Sequence, residues 1–230
     1  MTGHLYGIGV GPGDPELMTI KAVKLLKSCP VIAIPAKDKA HCTAYKIAVQ
    51  AVPELNEKEL LCLSMPMSKD EEALRKSHEE AADRVAACLG QGKDVGFITL
   101  GDASVYSTYL YVHERILKAG YPARIVSGIP SFCAAAARLN EGLVNGGEEL
   151  HVLPASYGAE AALKLSGVKV LMKAGREMKN VKKVLETGNY TVKMVENCGM
   201  ENEKIFDGLT QIPDDAGYFS LLIVKDREEN

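Results

Sequence analysis

The sequence predicts an α/β protein made of two lobes, with a ligand cleft between them. Short apolar runs alternate with segments of helical periodicity through both halves of the chain, which is typical of α/β architecture. The apolar run at 95–100 is too short for a helix and ends in Gly101-Asp102, which suits a buried parallel strand. A polar, glycine-rich stretch separates the two halves. We therefore expect an amino-terminal lobe at 1–139, a linker at 140–148 and a carboxy-terminal lobe at 149–230.

In the first half, apolar runs alternate with helical segments. Strands are predicted at 4–9, 31–34, 60–63, 95–100 and 123–126, and helices at 20–27, 44–51, 105–118 and 133–137. Thr19 is a credible N-cap for the first of these helices. One further helix is expected to open at the capping box Ser68–Glu71 and to end at Gly90.

The second half alternates in the same way and then ends in strands. Strands are predicted at 150–153, 168–172 and 191–195, and helices at 159–165 and 178–186. The apolar segments at 204–206 and 217–224 are expected to be closing strands that run antiparallel to their neighbours.

The composition disfavours several classes of protein. The 230 residues carry a net charge of −3 at pH 7 and no basic stripe, so neither nucleic acid nor an anionic membrane is an expected partner. The six cysteines lie far apart with no Cys-x-x-Cys pair, so neither a zinc site nor a disulfide framework is expected. The amino terminus has no signal-peptide pattern, and no apolar run approaches membrane-spanning length. These features predict a cytoplasmic protein with reduced thiols and no dedicated metal site.

A glycine-rich loop follows the first strand, at 7–15. A dinucleotide-binding loop needs a helix to begin at its last glycine, so that the helix amino terminus meets phosphate. Here Pro12 and Pro15 flank Gly13, and Pro12 also biases Gly11 away from helical geometry. The next helix is therefore expected to begin well after the loop, which disfavours a nicotinamide cofactor.

The strand end at Gly101-Asp102 is the first candidate for ligand contact. Ligands of open α/β sheets bind outside the carboxyl ends of strands, where Gly101 would let a ligand approach the backbone and Asp102 would offer a carboxylate. A simple turn explains the same two residues. Ser131 is a second candidate, because as an N-cap it would place a helix amino terminus near a ligand carboxylate; a plain structural cap is an equal alternative.

Five ordered motifs resemble those of the tetrapyrrole (precorrin-type) methyltransferases, over essentially the whole chain. They are Tyr6–Leu17 with Thr19, Thr99–Asp102 followed by Tyr106-Ser-Thr, Gly128–Phe132, Leu171–Gly175 and Val195–Gly199. The resemblance is strongest to the members that methylate carbon-20 of precorrin-2 or cobalt-precorrin-2 in cobalamin biosynthesis. Ala103 departs from the pattern, since the family usually carries proline there, and this puts the stiffness of the loop in doubt.

The resemblance implies S-adenosylmethionine as the methyl donor, S-adenosylhomocysteine as a product, an anionic tetrapyrrole as the substrate and a homodimer. It also implies a set of cofactor-binding residues, carried over position by position. These are Pro12, Leu100, Gly101, Asp102, Val105, Pro130, Ser131, Met172 and Cys198.

The implied reaction depends more on alignment of the methyl donor with the acceptor carbon than on reactive side chains, because the sulfonium methyl group is already activated. A base must still remove one proton, and Asp102 is predicted to orient the substrate or to act as that base. Lys173 is predicted to hold substrate charge. Further candidate cations are Lys37, Lys39, Arg138 and Arg176, although ordinary solvation explains each of them when taken singly.

Three alternatives stay open. A sibling enzyme would methylate another tetrapyrrole position, for example in uroporphyrinogen III, with the same fold and cofactor. A non-catalytic nucleotide-binding protein would use the glycine loop for phosphate, which the prolines disfavour. An RNA-modifying member of the same superfamily would be expected to carry a basic stripe, which this sequence lacks.

Overall fold

The computed structural model describes residues 1–66, 70–155 and 159–227, apart from the side chains of residues 159 and 176. The chain divides into two compact units, Met1–Pro130 and Ser131–Asn230. Within the described residues each unit combines helices with a five-stranded sheet, which confirms the α/β class with two lobes. The linker expected at 140–148 lies inside the second unit, because Glu141 pairs with Lys193 and the carbonyl of Gly142 accepts a 2.7 Å hydrogen bond from Lys225.

The first unit is a parallel sheet with helices between its strands. Its elements are β1 (Leu5–Gly9), α1 (Ile20–Ser28), β2 (Val31–Ile34), α2 (Thr43–Ala51), β3 (Glu59–Cys62), α3 (Glu71–Gly90), β4 (Val95–Thr99), α4 (Tyr109–Lys118) and β5 (Ala123–Val126). The strand order is β3-β2-β4-β1-β5, and every neighbouring pair is parallel. Because the strands are parallel, the carboxyl ends of β1, β4 and β5 lie side by side at one edge of the sheet.

One hydrophobic core cluster of the first unit lies between the sheet and the helices α3 and α4. All five residues of β4 are buried, as its continuous apolar run predicts. Phe97 of β4 packs against Tyr109 of α4 with the ring centroids 5.4 Å apart. The ring of Tyr109 also lies against β1 at Gly7, where a Cβ atom would come within 2.0 Å of it. The glycine at position 7 therefore lets α4 dock closely on the sheet.

The second unit has a mixed sheet. Its elements are α5 (Ser131–Arg138), β6 (Leu150–Pro154), α6 (Ala159–Leu163), β7 (Val168–Met172), α7 (Met178–Leu185), β8 (Tyr190–Glu196), β9 (Lys204–Asp207) and β10 (Ser220–Asp226). The strand order is β6-β7-β10-β8-β9. β6 and β7 are parallel, whereas β10 pairs antiparallel with β7 and β8, and β9 pairs antiparallel with β8. The antiparallel closing strands that the sequence predicts are confirmed.

The N-caps of α1 and α3 show what the sequence could and could not define. Thr19 caps α1 as predicted, since its Oγ1 accepts the N–H of Ala22 at 3.1 Å. α3 is capped by Asp70, whose Oδ1 accepts the N–H groups of the second and third helical residues at 3.0 and 3.1 Å. Ser68, the predicted cap of this helix, lies outside the described residues.

Two helices begin at other residues than the sequence predicts. α4 begins at Tyr109 instead of residue 105, because the hydroxyl of Ser107 accepts the N–H of Tyr109 at 3.2 Å and holds the preceding residues in a loop. α5 begins at Ser131, so Ser131 is the first helical residue and not the N-cap that the sequence predicts. In the described ranges, the helices are all too short or too polar to cross a membrane.

Candidate functional site

Three glycines from three different strand ends meet at the carboxyl edge of the first sheet. Gly9 ends β1, Gly101 follows β4 and Gly128 follows β5. A Cβ atom on Gly128 would lie 2.2 Å from the carbonyl oxygen of Gly101, and a Cβ atom on Gly9 would lie 2.6 Å from the same oxygen. Residues with side chains at positions 9 and 128 would force these backbones apart, so the loops can approach this closely only because both positions are glycine.

A short bridge joins the glycine loop after β1 to the loop after β4. The N–H of Gly101 donates to the carbonyl of Gly11 at 2.8 Å, and the N–H of Gly11 donates to the carbonyl of Gly101 at 3.2 Å. Gly11 and Gly101 both have positive φ, +78° and +70°. The glycines at 11 and 101 therefore hold two strand ends together.

The glycine loop does not lead directly into a helix. α1 begins only at Ile20, as the prolines of the loop predict.

Asp102 fastens the loop after β4 to the loop after β5. The residue is buried, with 8% of its surface exposed. Its Oδ2 accepts the N–H of Gly128 at 2.8 Å. Its Oδ1 accepts the N–H of Ser104 at 2.7 Å and the hydroxyl of the same serine. Both carboxylate oxygens are thus engaged by groups of the protein itself.

These contacts set the charge of Asp102. Burial raises the pKa of the carboxyl group, but the hydrogen bonds from Ser104 and from the N–H of Gly128 together lower it by more, so the pKa lies below its ordinary value. A carboxylate with a lowered pKa is a weaker proton acceptor. The geometry therefore favours a positioning role for Asp102, and its role as a base stays a prediction.

The segment after Asp102 is held at a second point. Thr99 of β4 and Ser107 are both buried, and their hydroxyl groups share a 3.0 Å hydrogen bond. Between the two anchors, Tyr106 has a φ of +47° and is 47% exposed. The segment is therefore fixed on both sides of an exposed tyrosine.

The second unit brings three predicted site residues to one edge of its sheet. β7 and β8 both pair antiparallel with β10, so they run in the same direction and end on the same side. Met172 ends β7 and Lys173 follows it, whereas Cys198 follows the end of β8. Met172 and Lys173 are half-buried, Cys198 is buried, and Lys173 has a φ of +58°.

A carboxylate closes the loop that contains Cys198. Glu203 accepts the N–H of Gly199 at 2.7 Å and forms an ion pair with Arg138 at 2.6 Å. The hydrogen bond from Arg138 lowers the pKa of Glu203 below its ordinary value, against the opposing effect of burial. Arg138, one of the candidate cations for the substrate, is therefore engaged within its own unit.

The remaining predicted residues lie at or beside strand ends. Pro12 is buried, and Leu100, Val105, Pro130 and Ser131 are half-buried. Lys37 and Lys39 are exposed beyond the end of β2, and the side chain of Arg176 lies outside the described part of the structure. The roles assigned to these residues, and the cleft expected between the lobes, stay predictions.

Sequence reasoning missed three interactions at these edges. Ser104 could have been found, because a serine two residues after an aspartate is typical of a local side-chain turn. Glu196 ends β8, is buried and accepts the N–H of Gly217, which no local pattern indicates. The bond between Asp102 and Gly128 depends on β1 pairing between β4 and β5, which only the tertiary fold defines.

The parallel sheet and its glycine-rich strand ends define an α/β protein of the class that binds ligands at the carboxyl ends of its strands. Among the residues that the structure describes, no group of three or more His, Cys, Asp or Glu side chains is placed to hold a metal ion. Within this class, the chain belongs to the tetrapyrrole (corrin/porphyrin) methylases, whose family model matches residues 4–212.

Known proteins resemble the chain over nearly its whole length. It is 36% identical to a probable cobalt-precorrin-2 C(20)-methyltransferase of Methanocaldococcus jannaschii, over 96% of this chain and 95% of that protein. It is 31% identical to a precorrin-2 C(20)-methyltransferase of Sinorhizobium, over 98% and 97% of the two chains. A solved uroporphyrin-III C-methyltransferase of Thermus thermophilus, complexed with S-adenosylhomocysteine, shares the fold with a TM-score of 0.68, 19% identity and 97% coverage of each chain.

Proposed function

We propose that the chain transfers the methyl group of S-adenosylmethionine to carbon-20 of precorrin-2, or of its cobalt complex, in cobalamin biosynthesis. The observation that carries the proposal is identity above 30%, over nearly full length, with relatives named for this reaction. Membership of the tetrapyrrole methylases supports the same chemistry independently of those names.

The strand ends of the first unit are suited to a cofactor with polar and apolar parts. Gly11 and Gly101 carry no side chains, so a ligand could lie close to the backbone bridge that they form. Half-buried Leu100 and Val105 flank the same loop and offer apolar contact to an adenosine group. When bound, S-adenosylmethionine supplies an activated methyl group. The chain then has to hold the acceptor carbon in line with that group.

The strand ends of the second unit also carry groups suited to ligand contact. Met172 is a half-buried, adaptable apolar side chain at the end of β7. The backbone around Cys198 is fixed by Glu203, so its peptide groups have defined directions. We assign Lys173, which follows Met172, to the carboxylates of the tetrapyrrole, since a chain of net charge −3 must meet an anionic substrate with local positive charge.

The direct test is incubation of the purified protein with S-adenosylmethionine and either metal-free or cobalt-loaded precorrin-2. We expect one methyl group to be added at carbon-20, detected by product mass and by the position of a labelled methyl group. Comparison of the two rates tells which substrate is preferred. Methylation at another carbon would favour a sibling enzyme, and binding of NAD without binding of S-adenosylmethionine would contradict the proposal.

We further propose that the enzyme is a cytoplasmic homodimer. The family resemblance supports the dimer, and six cysteines without a disulfide are compatible with a reducing compartment. Light scattering coupled to size-exclusion chromatography is expected to give twice the chain mass of 24.8 kDa. A mass equal to one chain at micromolar concentration would contradict the dimer.

A further inference from the structure

Tyr106 has an unusual backbone conformation for its size. Its φ is +47°, in the left-handed region that a bulky side chain rarely adopts. Such a conformation is costly and persists only where the surrounding structure imposes it. The residue is nevertheless 47% exposed, so burial of its ring in the core does not explain the conformation.

The neighbours of Tyr106 impose this conformation. On one side, Asp102 is tied to Ser104 and to Gly128 at 2.7 and 2.8 Å. On the other side, Ser107 is tied to Thr99 at 3.0 Å. Tyr106 lies in the short stretch between these anchors, so its backbone is fixed on both sides while the residue itself stays half exposed.

The backbone conformation itself does not require tyrosine. Glycine adopts positive φ without strain, and asparagine tolerates it better than other residues. The chain uses these residues elsewhere, with Gly101 at +70° and Asn140 at +55°. The reason for a tyrosine at position 106 therefore lies in its side chain and not in the backbone conformation.

We propose that Tyr106 positions the substrate, with its ring packed against the tetrapyrrole macrocycle. The inference rests on the proposed function. A tetrapyrrole is a broad, largely apolar ring system with carboxylates at its rim, and the flat face of an aromatic side chain complements such a surface. Tyr106 lies four residues after Asp102 at the carboxyl end of β4, where a parallel sheet binds its ligands. The backbone that carries the ring is held on both sides, so little backbone entropy is lost when the substrate packs on the ring.

The test exploits the opposite effects of glycine on stability and on binding. In Tyr106→Gly the ring is lost while the strain is relieved, so we expect affinity for the tetrapyrrole to fall by about tenfold or more. The melting temperature is expected to stay the same or to rise, because glycine accepts a φ of +47°. The probe is sirohydrochlorin, the oxidised metal-free form of precorrin-2, followed by the change in its absorbance spectrum. Affinity for S-adenosylhomocysteine, measured by calorimetry, should change by less than about twofold.

Three variants serve as controls. Tyr106→Phe keeps the ring and should bind sirohydrochlorin like the wild type. Asn140→Gly relieves a positive φ in the second unit without loss of a ring and should leave both affinities unchanged. Tyr111→Ala removes another exposed tyrosine of the first unit, one that stacks on His78 at 4.3 Å, and should also leave sirohydrochlorin binding unchanged.

The outcomes separate the inference from the function on which it rests. If the wild type binds both ligands and Tyr106→Gly binds sirohydrochlorin equally well, the inference is wrong and the proposed function stands. If Tyr106→Gly melts lower and loses both ligands together, the residue is structural and the inference is again wrong. If the wild type binds neither ligand, the proposed function fails and the inference fails with it.

Discussion

At the scale of single residues, Asp102 links charge to stability. Its pKa lies below the ordinary value, so the folded state binds its proton less tightly than the unfolded state does. The stability that the carboxylate contributes is therefore complete above the pKa of an unfolded aspartate, about 3.9, and is lost as the pH falls through the lower pKa of the folded state. We expect part of the acid sensitivity of the first unit to come from this one side chain.

The variant Asp102→Asn tests whether the carboxylate positions the loops or acts as a base. Asparagine has one acceptor oxygen, so its NH₂ group must face the N–H of either Ser104 or Gly128. We expect a loss of about 1–3 kcal/mol in the free energy of unfolding at pH 7, measured by denaturant titration, and a smaller loss on acidification than in the wild type. The opposite result, an unchanged stability with methyl transfer slowed by ~100-fold or more, would favour the base.

Lys173 is the residue on which the charge argument depends. Lys173→Ala keeps a residue with a side chain at a φ of +58°, so the variant removes charge without relieving strain. We expect affinity for sirohydrochlorin to fall by about tenfold, with little change in affinity for S-adenosylhomocysteine. Raising the salt concentration should weaken wild-type binding of sirohydrochlorin through screening. Lys164→Ala, at an exposed lysine of the same unit, is the control. Affinity that is insensitive to salt would contradict the role of Lys173.

At the scale of elements, the loop between β8 and β9 depends on the pair Arg138–Glu203. The pair connects the end of α5 to this loop and fixes the peptide groups around Cys198. In Glu203→Gln the charge is lost but the shape is kept, so we expect a few-fold weaker binding of S-adenosylhomocysteine. A double-mutant cycle with Arg138→Gln should show a small but non-zero coupling between the two side chains, since Arg138 is largely exposed. Additive effects of the two variants would show that the pair does not brace the loop.

The sequence predicted elements well where the pattern is local. β5 and β7 have the predicted bounds, and α1 begins after the predicted cap, because apolar runs and capping residues act over a few positions. The start of α4 was predicted too early, since residues 105–108 are held out of the helix by the contact between Ser107 and Thr99 of β4. Motif positions could identify Asp102 and Met172 as candidates, but one partner of Asp102, the N–H of Gly128, lies 26 residues further along the chain. Interactions of that range are set by the tertiary fold.

At the scale of the whole molecule, each sheet has, between two other strands, a strand from one end of the described chain. β1 lies between β4 and β5 in the first sheet, and β10 lies between β7 and β8 in the second. Without β10 the second sheet would separate into two pairs, β6 with β7 and β8 with β9, and isolated two-stranded sheets are marginally stable. A chain ending at residue 219 should therefore keep a protease-resistant fragment of the first unit only. Protection of both units would contradict this expectation.

The same arrangement has a consequence for synthesis on the ribosome. β1 is the first strand of its sheet in chain order, and its Leu5 pairs with Val95 of β4 and Ala123 of β5. Both partner strands are made only after most of the first unit has been translated. In the second unit, β7 and β8 can pair with β10 only after β10 has been made, and β10 is the last strand of that sheet in chain order. Long-range pairing of this kind is slow to form and leaves strand edges exposed in the meantime. The nascent chain therefore passes through two periods, one for each sheet, in which it depends most on protection from aggregation.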